Sequence, residues 1–308
     1  MRGRLRVAVI SRSKSTILSQ APLTAPAPDP NNAPWMGTGG SGRQRATIPP
    51  PLALAAVVVG MLAMPAVTVL LLPRGMRTAL VASELVLVTP GLLALLAYRI
   101  APVPGLSLRP LDRRTALLVV GAGGSLWLAS LGLLELQYAV WSPPPGYLEA
   151  FRRLHEALRP AHTLDAIASI VAIGIVPALC EEVLVRGIVL PSLLRATRPA
   201  AAVIVSAMVF AFIHLDPYRT LFTLVLGLAL GVLRLRTGSL LACMVAHAVL
   251  NTITFAAAPF TDDPSQGLPD PRPALGLALL LAGSAATVVV VRLMPSLTRP
   301  GPPPTLGA

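Results

Sequence analysis

Eight stretches of this chain are long enough and apolar enough to cross a lipid bilayer, and that feature limits the fold more than any other. A spanning helix needs ~20 mainly apolar residues at ~1.5 Å each to cross ~30 Å of hydrocarbon. The windows 52–72, 79–98, 115–136, 165–195, 200–216, 219–235, 239–258 and 274–292 approach or meet that need. Short segments rich in Pro, Gly and Arg separate them. The expected fold class is all-α: a polytopic membrane protein of about eight transmembrane helices enclosing an internal cavity.

Composition excludes the main competitors. Only 12% of the residues are charged and 54% are hydrophobic, against roughly 25% charged in an average soluble domain. The net charge of +12 comes from arginines scattered near the ends of apolar segments, without the aromatic-interleaved basic stripe that nucleic acid requires. Cys180 and Cys243 both lie inside apolar windows and have no paired ligand spacing, so neither a disulfide framework nor a zinc finger is expected. Residues 1–50, rich in Pro, Gly and Arg, read as a disordered tail. Arg2, Arg4 and Arg6 precede only Val7–Ile10, too short an apolar run for a signal peptide. Residues 51–293 form the helical domain and 294–308 a short Pro-rich tail. Most Lys and Arg in alternate connections fall on the side of the N-terminus, which places both termini in the cytoplasm and the chain in the cell membrane.

Ionisable groups inside the apolar windows carry the functional signal, because each costs roughly 2.5–3.5 kcal/mol at a helix centre. Glu84 lies in the second window and Glu135 near the end of the third. Glu181, Glu182 and Arg186 interrupt the fourth, His214 sits in the fifth and His247 in the seventh. His155 and His162 belong to the polar stretch 142–164 and are expected to face water.

Helical spacing sorts these groups. Glu182 and Arg186 are four apart on one face, in the order that favours an ion pair, while Glu181 is turned by ~100° and has no such partner. Glu181 is therefore the freer base. Phe210 and His214 form a second i, i+4 pair, in which the phenyl ring limits the imidazole rotamers. His247 and Asn251 form a third, in which the amide either orients the ring or donates to an oxyanion. A buried salt bridge and two core histidines would be the bland reading of each cluster alone. Three costly clusters on three helices argue instead for one shared interior site.

The three motifs, Glu181-Glu182-x-x-x-Arg186, Phe210-x-x-x-His214 and His247-x-x-x-Asn251, stand in the order and spacing of a known family. The chain resembles the CAAX-prenyl-protease and bacteriocin-processing (CPBP or Abi) family of intramembrane proteases over about 165–258. The resemblance implies an intramembrane endopeptidase whose substrate is a peptide or protein at the membrane lipid, with Glu181 activating a water and His214, His247 and Asn251 completing the site. A zinc ion held by Glu181, His214 and His247 is the alternative. The metal-free reading is favoured because Arg186 competes for Glu182, which zinc chemistry would need as the free base. The Ala/Leu/Arg/Pro-rich composition reads as bacterial, and related bacterial members act on bacteriocin leaders or C-terminal sorting signals.

Smaller features add to this picture. Cys180 adjoins Glu181 and Cys243 lies one turn before His247, positions that line the cavity or simply pack. Gly227 and Gly231 form a G-x-x-x-G expected to serve internal helix packing. Asp216, just before Pro217, is expected to cap a helix. Two other function classes fit buried Glu and His groups: a transporter with a proton relay, and a non-catalytic immunity protein of the same fold.

Overall fold

A computed structural model describes residues 48–261 and 271–295, with side chains described to 257 in the first segment. The two expected tails fall almost wholly outside these residues. Ile48, the first described residue, is buried and accepts a hydrogen bond from Ser192 Oγ at 2.6 Å.

Among the described residues the structure is helical throughout. The principal helices are α1 (Pro50–Leu71), α2 (Met76–Ala97), α3 (Arg113–Val140), α4 (Pro145–Leu158) and α5 (Thr163–Ala196). They continue with α6 (Pro199–Phe212), α7 (Pro217–Thr237), α8 (Leu240–Thr261) and α9 (Pro273–Leu293). Five of them open on proline, whose fixed φ and missing N–H suit the first helical position. α7 ends at Gly238, whose left-handed φ of 61° closes the helix.

Seven of the helices are long and apolar enough to span a membrane, and their limits follow the expected windows closely. The fifth window is the exception. α6 has 14 residues, so it rises only ~21 Å against ~30 Å of hydrocarbon. It stops because Leu215 turns the chain with φ 49° and Asp216 with Pro217 opens the next helix. The turn at His214–Asp216 is irregular backbone, which membrane proteins keep inside protein or beside a water-filled cavity.

The stretch 142–164 is not merely polar. Its α4 carries Tyr147, Leu148, Phe151, Leu154 and Leu158 on one side, with Glu149, Arg152, Arg153 and Glu156 bonded to one another on the other. That pattern is an interfacial amphipathic helix. His155, expected to face water, is half-buried, with its ring 4.7 Å from Phe151 and 6.4 Å from Phe255. His162 caps α5 by accepting from the Asp165 N–H.

The long α5 is the axis of the bundle. α2 and α8 flank its middle, α6 and α1 its C-terminal half, while α9 covers α3 on the outside. α3 and α9 touch backbone to backbone: a Cβ at Gly132 would come within 2.4 Å of the Gly276 carbonyl oxygen. Large apolar side chains such as Leu62, Val69 and Phe212 point outward, a surface suited to lipid rather than water. The protein is a multi-pass membrane protein.

Candidate active site

α5 is not a uniform α-helix. Residues Ile170–Ile175 and Val183–Val189 are π-helical, so the Glu181-Glu182 pair sits on a short α-segment between two wider turns. Such bulges concentrate at functional sites because they re-aim side chains. Pro177 adds to the irregularity: it has no N–H for the carbonyl of Ile173 one α-turn earlier. Asn251 Nδ2 donates to that Ile173 oxygen from α8 at 3.5 Å.

Glu182 and Arg186 are fully buried and pair at 2.8 Å, as their spacing predicts. Arg186 is further fixed by donating to the Gly227 carbonyl at 2.9 Å and by lying 4.3 Å from the Phe210 ring centre. A Cβ at Gly227 would meet Ala207 at 3.0 Å, so glycine there favours the close approach of α7 to α6 that delivers this carbonyl. The G-x-x-x-G thus serves packing within the bundle, with Gly231 against Val203.

Glu182 has a second partner. The same Oε1 lies 3.1 Å from His247 Nδ1. Carboxylates only accept, so Nδ1 carries the hydrogen and Nε2 presents a lone pair. His214 is held in the same sense, with Nδ1 2.9 Å from the Phe210 carbonyl oxygen. Both Nε2 atoms stand 3.9 Å from Glu181 Oε2, which is buried and has no hydrogen-bond partner among the described residues. Phe210 packs edge-on against both imidazoles, with ring centres 5.1 and 5.5 Å away.

Glu181, Glu182, Arg186, Phe210, His214 and His247 are thus gathered into one buried cluster from α5, the end of α6 and α8. Asn251 lies one turn from His247 with its amide on Ile173, and the ring is oriented by Glu182. Cys180 is buried beside Glu181, whereas Cys243 is fully buried with its thiol on the Leu230 carbonyl, a packing contact. Asp216 caps α7 through Tyr218 and Arg219, as expected.

One group, Glu84 of α2, was not assigned to the site from sequence. Arg77, Glu84 and Gly91 recur every seven residues along one face of α2. Arg77 bonds Ser169 at 2.8 Å, and a Cβ at Gly91 would meet Leu184 and Ile188. Glu84 therefore stands midway, at the level of Glu181. Its Oε2 is buried without a partner, and it is close enough to interact electrostatically with Glu181 and with Arg219 of α7. Its lone position in an apolar window was the available signal.

The spacing also tests a metal. A tetrahedral zinc with bonds of ~2.0–2.1 Å sets its ligand atoms ~3.4 Å apart, which is closer than the 3.9 Å separations here. Among the described residues no three His, Cys, Asp or Glu side chains are grouped to hold a metal ion. A water ~2.8 Å from two atoms 3.9 Å apart subtends ~90° between them, an ordinary hydrogen-bonding angle.

Fold and cluster together define a helical membrane protein with a buried glutamate–histidine site. Residues 163–253 match the type II CAAX prenyl endopeptidase Rce1-like family, and that segment contains all three motifs. The resemblance read from the motifs therefore holds over the part of the chain that builds the site. No curated protein and no solved structure matches the chain.

Proposed function

We propose that the protein is an intramembrane endopeptidase that hydrolyses peptide bonds of membrane-associated substrates with a water activated by Glu181. One observation carries the reading: the Nε2 atoms of His214 and His247 both lie 3.9 Å from Glu181 Oε2, which has no hydrogen-bond partner among the described residues, a separation that one water bridges. The Rce1-like match over 163–253 supports the reaction class.

In this reading Glu181 Oε2 takes a proton from the water as its oxygen bonds to the scissile carbonyl carbon. The carbonyl electrons move to oxygen, and the resulting oxyanion accepts a hydrogen bond from the Asn251 amide. Collapse breaks the C–N bond, and the proton held by Glu181 passes to the leaving amine. Glu182 does different work, compensating Arg186 and fixing the His247 tautomer. The 3.9 Å separations, wider than the ~3.4 Å between ligands of a tetrahedral zinc, favour a route in which no step passes through a metal. Substrates are C-terminally tagged or leader-bearing proteins that reach the site from the membrane. The excess of Lys and Arg in alternate connections supports a cytoplasmic side for both termini.

Purified protein incubated with lipid-tethered reporter peptides tests the proposal. Cleavage products identified by mass spectrometry are expected for wild type and not for Glu181→Gln. Proton flux in vesicles without any peptide cleavage would replace it with the transporter reading.

A further inference from the structure

α4 lies outside the family-matched segment, yet it reaches the turn that presents His214. Tyr147 donates its phenol hydrogen to Asp216 Oδ2 at 2.8 Å. The other oxygen of Asp216 caps α7, accepting from the N–H groups of Tyr218 at 2.9 Å and Arg219 at 3.3 Å. Both oxygens of this carboxylate are therefore committed, one to α4 and one to α7. The Tyr147 ring also lies 4.8 Å from that of Tyr218, whose carbonyl accepts from Gln137 of α3 at 2.7 Å.

Between this anchored point and His214 stands Leu215, with φ 49°. The left-handed region is unfavourable for a residue with a Cβ, and such strain persists only where surrounding contacts over-determine it. Leu215 is 59% exposed, so its own side-chain packing does not hold the turn. Its N–H bonds the Phe212 carbonyl on one side and Asp216 is clamped on the other. His214 is fixed from the α6 side only through Nδ1 and Phe210.

We infer that Tyr147 is a positioning residue for His214: its bond to Asp216 holds the strained turn at Leu215 and so aims His214 Nε2 at Glu181. The kinetic arm of its test rests on the protease reading, and a second arm does not.

The full-length chain in detergent serves for both. Tyr147→Phe removes one oxygen and keeps the ring. A misplaced site group predicts a loss of about tenfold in kcat with KM within about twofold, since misplacements near 1 Å cost up to ~100-fold. Asp216→Asn keeps a good helix cap and weakens only the phenol bond, so it should fall in the same direction. Leu215→Asn in the Tyr147→Phe background should restore about threefold, because asparagine adopts positive φ at small cost. The second arm follows carbethoxylation of His214 by mass spectrometry. His214, with 12% of its side chain exposed, should react several-fold faster in Tyr147→Phe, and His162, with 63% exposed, should not change. An unchanged His214 rate, or a kinetic loss confined to KM, overturns the inference. If wild type cleaves no peptide, the protease reading fails and the reactivity arm alone decides the role of Tyr147.

Discussion

Glu182 Oε1 lies 3.1 Å from His247 Nδ1 while it also receives Arg186 at 2.8 Å. One oxygen thus links the buried cation of α5 to the imidazole of α8. This makes two adjacent glutamates unequal: Glu182 is engaged twice, and Glu181 Oε2 lies 3.9 Å from Nε2 of both histidines without a hydrogen-bond partner among the described residues.

Removing the charge of Glu182 should show first as lost stability. Glu182→Gln takes away the carboxylate charge paired with buried Arg186 and leaves it only neutral partners: the amide oxygen, the Gly227 carbonyl and the Phe210 ring. Breaking a buried pair in this way costs about 3–5 kcal/mol. Thermal unfolding in detergent should show a large drop, with reduced membrane yield. A variant as stable as wild type would contradict the buried-pair assignment.

Gly227 makes a prediction about packing. Valine there would force α7 away from Ala207 and move the carbonyl that holds Arg186. Overpacking of this kind costs about 1–3 kcal/mol. Gly227→Val should unfold at lower temperature than Gly227→Ala, and both below wild type. Equal stability of all three would mean that close approach of α6 and α7 is not required.

Tyr147 lies outside the spanning helices and makes a pH prediction. Burial, followed by its hydrogen bond to Asp216, pushes the phenol above its ordinary value near ~10. A raised folded value means the contact contributes fully below the ordinary value and is lost as pH rises through the raised one. Tyrosinate absorbance of wild type and Tyr147→Phe should therefore coincide up to about pH 10 and beyond, diverging only at more alkaline pH. One extra tyrosinate in wild type near pH 10 would show that the phenol is free.

Metal removal separates the two forms of the hydrolytic reading. With both imidazole nitrogens 3.9 Å from Glu181, cleavage should persist after chelation verified by metal analysis. Loss of cleavage restored by added zinc would mean that the cluster contracts around an ion.

The Glu182–Arg186 pair was legible because i, i+4 spacing alone places the two on one face. Seven of the eight windows were legible from hydropathy and length. The partner of His247 was not, since it depends on how α8 packs against α5. The amide of Asn251 goes to a carbonyl that Pro177 leaves without its usual donor, a local event in another helix. The short α6 escaped notice because Ile213 and Leu215 prolong the apolar composition through a turn that only φ at Leu215 shows. α4 read as merely polar because Arg and Glu dominate its average, while its apolar side emerges only at helical period.

Glu181→Gln tests the central claim most directly. The amide keeps the shape of the side chain but cannot take a proton from water. Activity per folded molecule should fall to background in detergent, with thermal unfolding close to wild type. Cleavage by folded Glu181→Gln at the wild-type rate would contradict the assignment of Glu181 as the base.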